Sequence, residues 1–192
     1  MSPDASRHSL WPLNEVATAE SIFVVAPDSS PMKSKISAGL LMFRTRNDGL
    51  EVLLVHPGGP YFQNKDEGAW TIPKGEAADG ENLLDRARIE FEEELGIEAS
   101  GDWMEIGSVK QKGGKTVHAW AFAGDLGKDF TLASNTFEME WPPRSGKMQR
   151  FPEVDRASFF PVEEAKMKIN AAQTIFLERL IELLDSRKTE GI

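Results

Sequence analysis

Two apolar, β-prone runs, SAGLLMFR from Ser37 and LEVLLVHP from Leu50, are separated by TRNDG, whose Asn47-Asp48-Gly49 cluster is a hairpin signal. They predict a pair of antiparallel strands. A second pair is predicted by WMEIGSVKQ and KTVHAWAFAGD, joined by the turn KGGK. Between the pairs, GGPYFQNKDEGAWTIPKGE reads as a loop punctuated by Gly and Pro, with a short strand around AWTI. From residue 82 to residue 95 the period becomes helical. At ~100° per residue, Leu84, Ala87, Phe91 and Leu95 form a narrow apolar stripe, and Glu90, Glu93 and Glu94 fill the adjoining arc. Gly96 stands where a left-handed cap ends such a helix.

Further on, SNTFEMEWPPRSGKMQRFPEVDRASFFP mixes aromatic, acidic and basic residues without a sustained period and reads as an irregular functional loop leading to a strand at ASFFP. VEEAKMKI and AAQTIFLERLIELLDSR read as amphipathic helices, with Ile175, Leu180, Leu183 and Leu184 at helical spacing. Residues 1–35, rich in Ser, Pro, Ala and Asp and holding one β-like run, SIFVVAP, are expected to be an extension that is partly ordered at most. Residues 36–192 are expected to form the domain, and no internal repeat interrupts them.

The chain has 192 residues, enough to bury one real core. With 22 basic against 31 acidic residues and a net charge of −9, a broad grip on nucleic acid or an anionic membrane is disfavoured. An anionic substrate would then need a metal ion or a local basic patch. Cysteine is absent, which excludes disulfides and thiolate metal sites. The N-terminus shows no basic region leading into an apolar run, and no stretch approaches the ~20 apolar residues of a membrane span. The expectation is a soluble, cytoplasmic protein.

Acidic runs on helices are ordinarily solvated faces. In EFEEEL the context differs: a glycine turn precedes the helix, a second glycine follows it, Glu81 stands near its start, and the acids border the apolar stripe. Like charges so close repel unless something positive is shared. Hard divalent cations prefer carboxylate and carbonyl oxygens, so a metal, and through it a phosphate, meets that need.

Residues 75–97 resemble the Nudix box, G-x5-E-x7-R-E-U-x-E-E-x-G-U with U a bulky aliphatic residue. Gly75, Glu81, Glu90, Phe91, Glu93, Glu94, Gly96 and Ile97 occupy its positions without insertion. The order of elements around it, over about residues 37–186, resembles the family's α/β/α sandwich with a central mixed sheet. One position departs from the pattern: Ile89 stands where the family has an arginine that orients the glutamates. In projection Arg86 falls between Glu93 and Glu90, whereas Arg88 points far round from Glu93. Arg86 is therefore expected to supply part of the missing charge; the alternative is that Ile89 packs against the sandwich and metal alone neutralises the acids.

The resemblance implies hydrolysis of a nucleoside diphosphate linked to another moiety, with Mg2+ or Mn2+. It implies Glu93 and Glu94 as metal ligands, Glu90 as a further one, the Lys74 main-chain carbonyl as a neutral one, and Glu81 as a residue that shapes the loop. An acid from a late loop assists in several members; Glu153 is the first choice here, with Glu138 and Glu140 behind it. Tyr61, Phe62, Trp70 and Trp141 are aromatic faces that could stack a base, and Lys65, Lys74, Arg144 and Lys147 could reach phosphates. His56 and His118 lie on strand-like stretches and read as structural. The run WTIPKGE resembles the branch of dinucleoside polyphosphate hydrolases and nucleoside triphosphate pyrophosphohydrolases. ADP-ribose and modified RNA ends stay open, long nucleic acid is not expected, and a monomer or a homodimer fits equally. A binding module of the same fold with weak turnover is the alternative function, and a generic domain with an acidic helix is the third reading.

Overall fold

A computed structural model describes residues 35–46 and 49–190. The β-like run SIFVVAP lies outside them. β1 (Ile36–Arg46) and β2 (Gly49–Pro57) pair antiparallel from Arg46↔Gly49 to Phe43↔Val52. Both strands are apolar at nearly every position because both of their faces are covered. Ala38, Leu40 and Met42 of β1, with Leu53 and Val55 of β2, face one layer. Leu41 and Phe43, with Val52 and Leu54, face the other.

β3 (Lys74–Glu76) precedes helix α1 (Leu83–Leu95), and β4 (Met104–Lys110) and β5 (Thr116–Ala123) follow it. β6 (Thr136–Glu140), β7 (Met148–Pro152), β8 (Val154–Pro161), α2 (Val162–Lys168), a 3₁₀ turn (Ala171–Gln173) and α3 (Thr174–Glu190) complete the described chain. The main sheet runs β4-β5-β1-β2-β8, with β1 and β5 parallel and the other neighbours antiparallel. α1 buries Ala87, Phe91 and Leu95 on one face. α2, the 3₁₀ turn and α3 cover the other with Val162, Ala165, Phe176, Leu177 and Leu180. The result is the expected three-layer α/β/α sandwich on a mixed sheet.

β1 has two partners on one side. Its second half pairs with β2 and its first half with β3, Ala38 opposite Gly75 and Gly39 opposite Lys74. Where β2 and β3 part, the chain approaches β1 so closely that a Cβ on Gly39 would stand 2.6 Å from the Pro73 carbonyl oxygen. This fork delivers Lys74 and Gly75 beside α1. Gln173 secures it from the opposite layer: fully buried, it accepts from the Ile72 N–H at 3.1 Å and donates to Thr71 Oγ1 at 2.8 Å.

Two expectations need correction. The strand expected around AWTI forms only isolated bridges, Val55↔Thr71 and Trp70↔Ile169, and the strand itself starts at Lys74. Pro73, which has no N–H to donate, separates the two. The segment from residue 134, expected to be irregular, contains the antiparallel hairpin β6–β7, with Phe137 opposite Phe151 and Glu138 opposite Arg150. Its strands are five residues each and no residue in them is fully buried, so they lack the apolar signature of a core strand. The hairpin closes onto the end of β2, where a side chain on Gly58 would overlap the Pro152 carbonyl and one on Gly59 would press on Phe137 at 3.0 Å.

Gln173→Ala should strand the buried Ile72 N–H and destabilise the fold by about 1–3 kcal/mol, read as a lower denaturation midpoint with unchanged slope. A midpoint equal to wild type would show that the fork does not depend on this bond.

Candidate active site

α1 begins and ends on defined caps. Asn82 Oδ1 accepts from Leu84 N at 3.0 Å and from Asp85 N at 3.1 Å. Gly96 takes φ 73° and its N–H meets the Glu92 carbonyl at 2.7 Å; a Cβ there would also press on Ala133 at 2.8 Å. Glu81 accepts from Ala78 N at 2.8 Å and so shapes the turn before the helix. Between these ends, Glu90 and Glu94 are buried, 6% and 8% exposed, and Glu93 is partly exposed.

Each acid has its own surroundings. The Glu90 carboxylate lies on Gly75 so closely that a Cβ at that position would fall inside it. The Arg86 guanidinium bonds Glu90 Oε1 through Nη2, and the same nitrogen stands 3.4 Å from Glu93 Oε2. Burial pushes the Glu94 carboxyl up to about 7, against the lowering pull of the Lys74 ammonium and of the Lys74 backbone N–H; the charges of Glu153 and Glu93 push it up further. Burial likewise lowers Lys74, and the charge of Glu94 partly restores it. Glu94 Oε2 is buried and has no hydrogen-bond partner.

Glu153 reaches this group from the bend between β7 and β8. Its N–H donates to the Asn135 carbonyl at 2.8 Å, the Asn135 N–H donates to the Glu93 carbonyl at 3.1 Å, and its own carbonyl accepts from Gly58 N at 2.9 Å. One backbone chain thus ties the late bend to the last turn of α1. Glu138 and Glu140 are not brought there: Glu138 pairs with Arg150 at 2.9 Å across the hairpin, and Glu140 accepts from Gly146 N at 2.6 Å in its turn. Ile89 does not pack against the sandwich but is 43% exposed, which corrects the alternative in which it would be buried. Arg88 points away, toward Asp85 at 3.8 Å and Glu98 at 4.0 Å, with its guanidinium over Trp103.

Of the aromatic candidates, Trp70 is buried and donates from Nε1 to Asp66 at 2.8 Å, so it belongs to the core. Tyr61, 54% exposed, meets Trp141 edge to face at 5.3 Å. Beside them is a recess of about 420 Å3 lined by Gly59, Gln63, Trp141, Gln149, Phe151 and Asp155. Phe62 is partly buried and carries the Lys65 ammonium 5.0 Å from its ring centre. Arg144 and Lys147 are exposed in the turn of the β6–β7 hairpin. His118 lies within β5, opposite Ala38 and Ser108.

His56 is structural, as its strand position implied, but the sequence did not show its contacts or those of the Lys74 side chain. His56 is fully buried, with Nδ1 2.7 Å from Asp155 and Nε2 2.9 Å from the Lys65 carbonyl, and so pins the loop after β2 to β8. The Lys74 ammonium acts on Glu94, and the Lys74 backbone N–H bonds the same carboxyl. No spacing signal announced either contact.

A family model, the NUDIX domain, matches residues 33–180. The chain belongs to the Nudix family. Its acidic helix carries the segment that resembles the Nudix box. Among solved structures, the binary complex of a C. elegans Ap4A hydrolase is similar at TM-score 0.58 and 20% identity, covering 78% of this chain and 98% of that one. A mutT/nudix family protein from Listeria innocua aligns at TM-score 0.54 and 14% identity, over 81% of this chain and 96% of its own. The NUDIX domain of Shewanella oneidensis NrtR, complexed with ADP ribose, aligns at 0.53 and 14%, over 87% and 99%. No curated protein matches the chain.

Among the described residues, no group of three or more His, Asp or Glu side chains stands close enough to enclose a metal ion as the side chains lie. The donor chemistry of this Nudix box nevertheless fits a hard cation. Its oxygens are carboxylates, and Glu94 Oε2 is a buried acceptor that nothing in the protein satisfies.

The raised Glu94 carboxyl carries a pH signature. Below its ordinary value near 4.5 it is neutral in both folded and unfolded chains; between 4.5 and about 7 only the unfolded chain ionises, so metal-free stability falls with rising pH. The melting temperature of metal-free Glu94→Gln minus that of wild type should therefore climb by a few degrees across that window, whatever constant offset the change brings to Lys74. A flat difference would contradict a buried, raised carboxyl.

Proposed function

We propose that this Nudix chain hydrolyses a pyrophosphate bond in a nucleoside diphosphate linked to another moiety, with dinucleoside polyphosphates or nucleoside triphosphates as the favoured substrates and Mg2+ or Mn2+ as the cofactor. The observation that carries this reading is the unpartnered, buried oxygen of Glu94 on the Nudix box, which also carries Glu90 and Glu93, with the charge of Glu153 acting on Glu94 from the bend before β8.

Glu93 and Glu94, with Glu90 and the Lys74 carbonyl, would hold the metal. When bound, a divalent ion neutralises pyrophosphate and lowers the pKa of coordinated water. Pyrophosphate resists attack because its negative charge repels an incoming oxygen. The protein's part is to hold the acids of the box at the sheet with their charges balanced. Lys74 balances Glu94, Arg86 separates Glu90 from Glu93, and Gly75 leaves room for the Glu90 carboxylate. Glu153, whose backbone is tied through Asn135 to the end of α1, would take the proton of the attacking water.

The substrate's base is assigned to the aromatic recess. Tyr61 and the half-buried Trp141 present a ring pair, Phe62 follows Tyr61 in the same loop, and Arg144 in the neighbouring turn would reach phosphate. The run WTIPKGE supports dinucleoside polyphosphates or nucleoside triphosphates, and the Ap4A hydrolase from C. elegans has the same fold. The net charge of −9 speaks against long RNA.

Diadenosine polyphosphates, nucleoside triphosphates, ADP-ribose and 5′-triphosphorylated RNA, each incubated with Mg2+ or Mn2+, should show turnover on one of the first two classes. Glu93→Gln should lose about a hundred-fold or more of it. Absence of metal-dependent turnover on every member would favour the nucleotide-binding module instead.

On the best of these substrates, Trp141→Ala should raise KM about ten-fold while changing kcat little, as expected for a lost stacking face. An unchanged KM would remove the recess from the substrate path.

A further inference from the structure

We propose that Arg86 is a positioning residue of this site: its guanidinium sets the spacing and orientation of Glu90 and Glu93 for a divalent cation. The inference rests on the metal-dependent reading above and adds to it the residue that makes three neighbouring carboxylates tolerable on one helix.

The helix puts Arg86 where this is achievable. Taking ~100° per residue, it projects ~20° from Glu93 and ~40° from Glu90, between the two carboxylates. A single nitrogen, Nη2, serves both, bonding Glu90 Oε1 and lying 3.4 Å from Glu93 Oε2. Among the described residues, the ion pairs of Glu90 and of Glu93 are both with Arg86. Glu90 is thereby confined from two directions, by the guanidinium and by the bare backbone of Gly75. Its side chain is 8% exposed and that of Arg86 24%, so solvent screens this pair far less than a surface ion pair.

Among the described residues, no neighbouring cation duplicates the arrangement. The charge of Lys74 is directed at Glu94, on the far side of Glu90 from Glu93. Arg88 is engaged with Asp85 and Glu98. Position 89, ~40° beyond Glu93 on its outer side, holds an exposed isoleucine that brings no charge. A planar guanidinium can hold two carboxylates at a fixed separation, which a lysine ammonium, a mobile point charge, does not. The separation matters because both carboxylates must turn toward the same ion.

The test compares wild type, Arg86→Ala and Arg86→Lys. Mn2+ binding to the nucleotide-free protein is measured by the electron paramagnetic resonance of free Mn2+; kcat and KM are measured on the best substrate of the panel. Arg86→Ala should bind Mn2+ about ten-fold more weakly and lose about ten-fold or more in kcat, with KM moving less than about three-fold. Arg86→Lys keeps the charge and the aliphatic stem. It should melt within a few degrees of wild type yet still bind Mn2+ more weakly, which keeps the test valid if the alanine variant does not fold. Equal or tighter Mn2+ binding with unchanged kcat in the variants overturns the role of Arg86 alone. A lowered melting temperature with unaltered Mn2+ affinity overturns it too, reducing the pair to a structural one. Wild-type protein that binds no Mn2+ overturns the metal-dependent reading along with it.

Discussion

Two glutamates buried on one helix face are the constraint around which the rest of this structure is arranged. A carboxylate removed from water needs a positive charge, hydrogen bonds or a proton. Glu90 obtains a guanidinium, and Glu94 obtains an ammonium, a backbone N–H and a carboxyl pushed up to about 7. Neither is buried by accident of packing. Each lies one residue before a core anchor, Glu90 before Phe91 and Glu94 before Leu95, so the stripe that holds α1 on the sheet carries the acids in with it.

The sheet is built to meet that face. A strand with one neighbour on each side would place only paired backbone beside α1. β1 instead divides one of its sides between β2 and β3, and the gap between those two strands brings Pro73, Lys74 and Gly75 against the helix. Gly39 lets the chain approach β1, and Gly75 leaves space for the Glu90 carboxylate. On the other side of the sheet, Gln173 satisfies the backbone of the same fork through contacts from the layer that carries no catalytic candidate. Stability and chemistry meet in the few residues between Thr71 and Gly75.

Much of this was legible in the chain. The α1 stripe, its glycine cap, the β1–β2 and β4–β5 pairs and the terminal helices follow from local periodicity and from turn residues, which need no distant partner to show themselves. The β6–β7 hairpin did not show because its strands are short and bury neither face, leaving alternation too weak to separate from loop sequence. The AWTI run looked like a strand because it is apolar. It is apolar because Trp70 and Ile72 sit in the core between the helices and the sheet, and the run makes only isolated bridges, at Trp70 and Thr71.

The sequence by itself determined which residues share a helix face. Helical spacing sets Arg86 beside Glu90 and Glu93 in any context, because the angle between residues of one helix is a local property. Long-range contacts were decided only by the tertiary structure. Lys74 beside Glu94, Glu153 tied through Asn135 to the end of α1, and His56 clamping the loop after β2 each join segments brought together by sheet order and by a strand fork, which no local pattern encodes. Which of the three late acids acts on Glu94 through its charge was likewise tertiary. Glu138 and Glu140 differ from Glu153 not in type but in being held by a hairpin whose own partners, Arg150 and the Gly146 N–H, already satisfy them.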